Sequence, residues 1–293
     1  GFGRHLVEAF LAEGANVVFC ARTAADVFQT QTALSPGLKP GQQLVGLSCD
    51  VADPASVAAL FARAARLGPL HAVVNNAGIY GPIGPTENVA LTDWTQAWQV
   101  NVTGTLLVCQ HAVRAMKPQG AGKIINISGG GATSPMPRLV AYAATKAAVV
   151  RLTETLAEEY RADHIDVNAV APGALVTRLT RQVLAAGPEM AGADFFAKNQ
   201  KWADEGAVDP RLGATLCVWL ASAGSDGITG KLISAQWDPW KDPAKFRALA
   251  TGDVYTLRRI VPEDRPKKSR PLRSNSPSSA AVSSAASARP WSR

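Results

Sequence analysis

The stretch LHAVVNNAG (residues 70–78) joins a short apolar run to a turn of small and polar residues, and it indicates the fold most directly. Val73 and Val74 are β-branched and favour an extended strand, whereas Asn75 and the residues up to Gly78 favour a turn. The same pattern recurs along the chain in ANVVFC (15–20), QQLVGLSCD (42–50), GKIINIS (122–128), IDVNAVAP (165–172) and KLISA (231–235). The sequence therefore predicts a strand at each of these places.

Helical patterns separate these runs. For example, Val149, Leu152 and Leu156 are spaced so that they line one face of a helix. Strands that alternate with helices are joined by right-handed crossovers, which give a parallel sheet with helices on both faces. The predicted fold class is α/β, a doubly wound parallel sheet of the Rossmann type, in which ligands bind beyond the carboxyl ends of the strands.

The start of the chain departs from this layout. A sheet of this type opens with a strand that runs into a glycine turn, but here the chain begins inside the turn, at Gly1-Phe2-Gly3. We therefore expect the first strand, which is central in the usual strand order, to be absent. Either the sequence is an N-terminally truncated fragment, or the sheet carries an unpaired gap that a buried sheet tolerates poorly.

Composition favours a soluble protein. Of the 293 residues 47% are hydrophobic and 18% are charged, which suits a single domain with a large core. No apolar run approaches the roughly 18 residues that cross a bilayer, and the first residues lack the features of a secretory signal. The four cysteines and four histidines are scattered, without the spacing of a disulfide frame or a metal site. We expect a cytoplasmic protein with reduced thiols, no membrane partner and no metal.

The net charge of +7 comes from the C-terminal tail. Residues 265–293 hold seven basic residues and no acidic one, so the remainder of the chain is neutral overall. The tail is rich in Ser, Ala and Pro, which predicts disorder, and the neutral remainder argues against a nucleic-acid partner. The expected organisation is a Rossmann-type domain over 1–240, an extension over 241–264 that packs on the core or a subunit interface, and a disordered tail over 265–293.

Motifs that carry chemistry follow one another along the domain. They are Gly1-Phe2-Gly3, Asn75-Asn76-Ala77-Gly78, Asn101 in WQVNVTG, Tyr142 and Lys146 in AYAATKAAV, and Pro172-Gly173 with Thr177 in VAPGALVT. Each is weak by itself, since a polar turn or a Tyr/Lys pair on a helix is common. In this order and spacing, over residues 1 to about 240, the sequence resembles the short-chain dehydrogenase/reductase family. The resemblance implies an oxidoreductase that uses a nicotinamide cofactor.

Tyr142 and Lys146 are four residues apart and so share one face of a helix. A free phenol, with a pKa of about 10, is a poor proton donor or acceptor near neutral pH. A lysine cation about 4 Å away would favour the phenolate by roughly 4 kcal/mol, or up to about 3 pKa units before desolvation is subtracted. We therefore expect Lys146 to lower the pKa of Tyr142.

The resemblance also implies the roles of single residues. Tyr142 would exchange a proton with the substrate oxygen, Lys146 would hold the nicotinamide ribose, and Asn101 would support a proton relay through water. The residues that match the family's cofactor contacts are Gly1, Gly3, Arg22, Asp50, Val51, Asn76, Ala77, Gly78, Tyr142, Lys146, Leu175 and Thr177.

The serine that polarises the substrate carbonyl is where this sequence differs from the family. Its usual position, 13 residues before the tyrosine, is Gly129. Ser128 lies one residue earlier, and alternate strand residues point to opposite faces. Either the glycines let Ser128 or Thr133 reach the site, or the role is vacant. We expect Ser128 to be the catalytic serine; otherwise its hydroxyl bonds nearby backbone.

Arg22 decides the expected cofactor. Members that prefer NAD carry an acidic residue after the second strand, but this chain has Cys20-Ala21-Arg22-Thr23. A guanidinium suits the 2′-phosphate of NADP, so NADP is expected, with NAD possible if Arg22 is only a surface residue.

The interpretation is an NADP-preferring carbonyl reductase or alcohol dehydrogenase for a small carbonyl or alcohol substrate, with a 3-oxoacyl-thioester-type ketone as the generic expectation. The alternative is a non-catalytic dinucleotide-binding or regulatory module.

Residues 178–209, polar and irregular, would form the substrate lid. Helices around 94–114 and 142–161 would pair subunits into a homodimer or homotetramer.

Overall fold

The computed structural model describes residues 1–261 and Asp264. Its six strands lie at the places that the sequence predicts. They are β1 (Val17–Ala21), β2 (Leu44–Ser48), β3 (Ala72–Asn75), β4 (Gly122–Ile127), β5 (Ile165–Ala171) and β6 (Leu232–Ser234). All strand pairs are parallel.

Ten α-helices connect and flank these strands in the described residues. They are α1 (Phe2–Ala12), α2 (Ala24–Leu34), α3 (Pro54–Ala64), α4 (Leu91–Trp98), α5 (Gly104–Met116), α6 (Val140–Glu159), α7 (Arg178–Ala191), α8 (Ala193–Glu205), α9 (Pro210–Leu220) and α10 (Pro243–Leu249). A π-helical turn, Gln99–Thr103, joins α4 to α5. No helix within 1–261 is long and apolar enough to cross a membrane.

Helices cover both faces of the sheet, as the alternating side chains of β4 show. Ile125 and Ile127 pack in an apolar cluster with Phe2 and Leu6 of α1. Ile124 packs on the opposite face with residues of α5 and α6, including Cys109. Neighbouring residues of a strand point to opposite faces, so the sheet is buried on both. The doubly wound α/β prediction is confirmed.

The sheet is in two parts. Strands β3, β4, β5 and β6 are paired in that order, whereas β1 pairs with β2. Among the described residues, β1 and β3 therefore each have a strand neighbour on one side only. Cys20 of β1 and Val73 of β3 still pack against one apolar cluster, so the two parts share core. The break coincides with the place where the sequence predicts that a central strand is absent.

The segment from 178 to 209 corrects the sequence analysis. Its polar sequence predicts an irregular lid, but the structure forms α7 and α8 there, with a break at Gly187 and Pro188. Gly187 has a φ of 77°, a left-handed value that glycine adopts without steric cost. Leu179, Val183 and Ala186 have the spacing of one helix face, a signal that the polar composition of the segment obscures.

The C-terminal extension packs against the core cluster. Phe246 of α10 is fully buried, beside Trp219 and Tyr255. Contacts define one compact unit over residues 1–257, which includes α10. The predicted disordered tail, 265–293, lies outside the described residues.

Candidate active site

The catalytic pair predicted from the sequence lies in the first turns of α6. Tyr142 and Lys146 are both buried. Lys146 Nζ donates to the carbonyl oxygen of Ile127, at the end of β4, over 2.8 Å. The same Nζ is 5.7 Å from the centroid of the Tyr142 ring. The structure therefore brings this pair to the carboxyl end of β4, where a doubly wound sheet binds its ligands.

Asn101 joins three elements through its side-chain amide. It lies in the π-helical turn, a feature that is frequent at functional sites. Its Oδ1 accepts from Ile79 N and its Nδ2 donates to Ile79 O, each over 2.9 Å. Nδ2 also donates to Thr145 Oγ1 over 2.9 Å, and Thr145 Oγ1 donates to Tyr142 O. The amide of Asn101 thus ties the loop after β3 to the helix of the catalytic pair.

Gly78 is the point where these groups meet. A Cβ at Gly78 would lie 3.4 Å from Lys146 Nζ and 3.5 Å from Asn101 Oδ1. A side chain here would therefore occupy the space directly beside both polar groups. Asn76 lies in the same loop as Gly78, and a Cβ at Gly3 of α1 would come within 2.9 Å of its Nδ2. Gly3 lies in the first turn of α1, so the structure brings the start of this helix, the loop after β3 and the catalytic pair together.

The protonation of the pair differs from the expectation. Burial, with a contribution from Tyr80, holds the pKa of Tyr142 well above its usual value. Burial also lowers the pKa of Lys146 to about 8. The predicted lowering by Lys146 is wrong for the protein in this state, because desolvation opposes the phenolate and Lys146 Nζ points to a backbone carbonyl. At neutral pH the phenol of Tyr142 is protonated.

Ser128 makes no side-chain hydrogen bond to Tyr142 in the described part of the chain. Its Oγ is buried, with the residue 3% exposed, and has no hydrogen-bond partner among the described residues. A Cβ built on Gly129, in contrast, would lie 2.4 Å from Tyr142 Oη. Position 129 therefore faces the phenol, and the expectation that Ser128 takes over the serine role lacks a supporting contact. Thr133, the other hydroxyl considered, is exposed.

Three of the expected cofactor residues, Gly1, Leu175 and Thr177, line a cavity of about 370 Å³. Gly1 and Phe2 form one wall, and Leu175 and Thr177 lie on another. Thr177 caps α7, since its hydroxyl accepts from Leu179 N over 3.1 Å. The structure thus brings together Gly1, Leu175 and Thr177, which are distant in sequence.

The remaining cofactor candidates follow β1 and β2. Arg22 is exposed directly after β1, and its carbonyl accepts from Ser48 Oγ over 3.0 Å. After β2, Asp50 Oδ1 accepts from Ala52 N over 2.9 Å. Val51 packs closely on Gly104, where a Cβ would come 2.8 Å from Val51 Cγ2. These residues form a second group at the same edge of the sheet, and Ala77 is exposed in the loop after β3.

Tyr80 is a residue that the motifs do not single out. Its ring meets that of Tyr142 edge to face, with centroids 4.7 Å apart and planes at 89°. Burial raises the pKa of Tyr80 to about 12. The only sequence signal is an aromatic residue two positions after Asn75-Asn76-Ala77-Gly78, and nothing in the sequence places it on the catalytic tyrosine.

Comparison with known proteins gives a consistent result. The family model of short chain dehydrogenases matches residues 1–187. A short-chain type dehydrogenase/reductase of Picea abies is 34% identical over 239 residues, which is 80% of this chain and 86% of that protein. A 3-alpha-(or 20-beta)-hydroxysteroid dehydrogenase of Mycobacterium bovis is 37% identical over 232 residues, 78% of this chain and 82% of that protein.

Solved structures agree with these relatives. The crystal structure of actinorhodin polyketide ketoreductase with NADPH is similar with a TM-score of 0.72 and 27% identity, and the match covers 80% of this chain and 91% of that one. Fold, motif positions and relatives point to the same conclusion. The chain belongs to the short-chain dehydrogenase/reductase family of oxidoreductases.

Proposed function

We propose that this protein is an NADP-preferring carbonyl reductase or alcohol dehydrogenase in which Tyr142 exchanges a proton with the substrate oxygen. The observation that carries the proposal is the connected site formed by Asn101, Tyr142 and Lys146. Asn101 bonds both the loop after β3 and Thr145, while Lys146 bonds the end of β4. Binding a dinucleotide does not by itself require this trio, whereas proton transfer requires a positioned acid, whose charged form a nearby cation favours.

The glycines of the site fit a nicotinamide dinucleotide. Side chains at Gly3 and Gly78 would fill the space beside Asn76 and Lys146, so both glycines keep open a cradle in which a cofactor can approach backbone. Gly1, Leu175 and Thr177 line the adjoining cavity. The residues proposed to hold the cofactor are Gly1, Gly3, Arg22, Asp50, Val51, Asn76, Ala77, Gly78, Tyr142, Lys146, Leu175 and Thr177.

The cofactor, when bound, supplies or accepts a hydride. The chain's own part is the proton. Because the pKa of Tyr142 lies well above neutral, its phenol carries a proton and can donate it to a carbonyl oxygen that gains negative charge. Lys146, with its pKa lowered to about 8, is still mostly charged at pH 7 and favours the phenolate that remains. This state suits reduction of a carbonyl better than oxidation of an alcohol.

The finer assignments are parts of the same proposal. The exposed guanidinium of Arg22 suits a 2′-phosphate, which favours NADP over NAD. A 3-oxoacyl-thioester-type ketone is the proposed substrate class, supported by the similarity to a polyketide ketoreductase. We further propose a cytoplasmic homodimer or homotetramer, in which the helices around 94–114 and 142–161 pair subunits.

One observation favours a second candidate, a non-catalytic dinucleotide-binding or regulatory module. Position 129 faces Tyr142 Oη but carries no side chain, so the usual hydroxyl donor for the substrate carbonyl is missing. Loss of one such donor costs about 10²–10³-fold in rate, which makes an enzyme slow without abolishing its reaction. The proposal of an enzyme therefore predicts measurable turnover.

The test measures oxidation of NADPH and NADH over a panel of ketones, aldehydes and 3-oxoacyl thioesters, with calorimetric titration of both cofactors. We expect turnover of at least one carbonyl and tighter binding of NADPH than of NADH. Arg22→Asp should reverse the cofactor order, and Arg66→Asp, at an exposed position just after α3, serves as the charge-matched control. Cofactor binding without turnover of any carbonyl would favour the binding module, and equal affinities unaffected by Arg22→Asp would refute the NADP preference.

A further inference from the structure

The loop that carries Tyr80 is fixed from one side by Asn101. Both backbone groups of the preceding residue, Ile79, are bonded to the Asn101 amide over 2.9 Å. Asn101 in turn is bonded to Thr145, whose hydroxyl donates to Tyr142 O over 2.9 Å. These bonds link the backbone of the loop to the first turn of α6. The contact between the rings of Tyr80 and Tyr142 is a second link between this loop and α6.

Gly81 fixes the loop from the other side. Its φ is 69°, a left-handed value that other residues rarely adopt. A Cβ at Gly81 would lie 2.8 Å from Ala97 Cβ on α4 and 3.5 Å from Ala141 Cβ, next to Tyr142 on α6. The backbone at Gly81 is therefore pressed between two helices. The backbone on both sides of Tyr80 is therefore fixed, and its partly buried ring contacts that of Tyr142.

The phenol of Tyr142 needs such support because polar contacts do not supply it. Within residues 1–261, no side-chain hydrogen bond holds Tyr142 Oη, and position 129, which faces Oη, has no side chain. Edge-to-face aromatic pairs, in contrast, prefer one mutual orientation. The centroid distance of 4.7 Å at 89° is within the range that such pairs favour.

We propose that Tyr80 is a positioning residue, whose ring holds the ring of Tyr142 in the orientation for proton transfer at a site that lacks the side chain usual at position 129. The proposal rests on the proposed function for its consequence in catalysis, but the orientation itself is a property of the free protein. The positioning of Tyr142 depends on the aromatic ring of Tyr80 and not on its hydroxyl.

Steady-state kinetics test the catalytic consequence. Tyr80→Leu removes the ring, and we expect kcat to fall at least tenfold, which is about 1.4 kcal/mol, with KM and NADPH affinity within about threefold. Tyr80→Phe keeps the ring, and we expect it to restore kcat to within about threefold of the parent. Tyr255→Leu, which removes a ring that stacks on Phe246 with centroids 5.3 Å apart, is the control for loss of an aromatic contact and should leave kcat unchanged. Thermal unfolding of each variant checks that it is folded.

Ring motion tests the orientation without turnover. The chain has four tyrosines, so ¹³C-labelled tyrosine rings give a spectrum that Tyr142→Phe assigns. We expect slow flipping of the Tyr142 ring in the parent and in Tyr80→Phe, and fast flipping in Tyr80→Leu.

The outcomes are distinct. Fast flipping in the parent, equal losses in Tyr80→Phe and Tyr80→Leu, or a rise of KM alone would each overturn the positioning role. If no carbonyl is turned over but the ring motion changes as expected, the proposed function fails while the structural role of Tyr80 stands. A slow ring in the parent that remains slow in Tyr80→Leu would show that other contacts hold Tyr142, and would also overturn the proposal.

Discussion

Gly129→Ala places a methyl group against Tyr142 Oη, the oxygen of the proposed proton donor. The backbone at Gly129 is extended, with φ −169° and ψ 171°, so an alanine costs nothing in backbone conformation. Its Cβ, however, would lie 2.4 Å from Tyr142 Oη. An ordinary contact requires 3.4 Å or more, so the phenol oxygen must move by about 1 Å. The substitution is therefore a displacement of the proposed proton donor.

The magnitude follows from the sensitivity of catalysis to position. A displacement of about 1 Å costs on the order of 10²-fold in rate, or about 2.7 kcal/mol. We expect Gly129→Ala to lower kcat by about that factor while NADPH affinity and the melting temperature change little. Gly129→Ser makes the same displacement but adds a hydroxyl donor, so its kcat should exceed that of Gly129→Ala.

The assay is NADPH oxidation at saturating carbonyl substrate, with cofactor affinity measured by fluorescence titration. Gly130→Ala is the matched control, because Gly130 is exposed and nothing lies within 4 Å of the Cβ it would gain. It should retain parental activity. A Gly129→Ala protein as active as the Gly130→Ala protein would refute the argument that position 129 faces a catalytic phenol.

Three further predictions follow from the buried groups and the expected assembly. Ser128→Ala should keep kcat within about threefold of the parent. It should leave the unfolding free energy unchanged or raise it by about 1 kcal/mol, because it removes a buried hydroxyl that has no partner. A 10²-fold loss of kcat would instead indicate that Ser128 is the catalytic serine. Lys146→Met should be more stable than the parent by up to about 3 kcal/mol at pH 7, since the folded pKa of about 8 lies below the ordinary 10.5. That difference in denaturant-unfolding free energy should fade as pH rises from about 8 to 10.5, and a difference independent of pH would contradict the low pKa of Lys146. Light scattering should give the mass of a dimer or a tetramer, and the mass of a monomer would contradict the proposed assembly.

The strands could be predicted from the sequence because their signals are local. Runs such as GKIINIS and IDVNAVAP combine β-branched residues with flanking turns, and each became a strand. Gly1 and Thr177, which the family resemblance assigns to the cofactor, line one cavity in the structure. Local pattern and family spacing were sufficient for this part of the site.

The remainder depends on packing that no local pattern records. The helices α7 and α8 are not evident from the polar composition of residues 178–209, although Leu179 and Val183 have helical spacing. The raised pKa of Tyr142 cannot be predicted from the sequence, because the spacing gives the proximity of Lys146 but not the depth of burial, which is the dominant cause. The contact between Tyr80 and Tyr142 joins residues far apart in sequence, and only the folded chain reveals it.

The central claim, that Tyr142 is the proton donor of an oxidoreductase, is tested most directly by Tyr142→Phe. The measurement compares kcat of the parent and the variant for a carbonyl that the parent reduces, with NADPH affinity determined on the same samples. The account predicts a loss of at least about 10²-fold in kcat with NADPH affinity nearly unchanged, because phenylalanine keeps the ring and removes only the hydroxyl. A Tyr142→Phe protein that reduces the carbonyl at the parental rate would contradict the account.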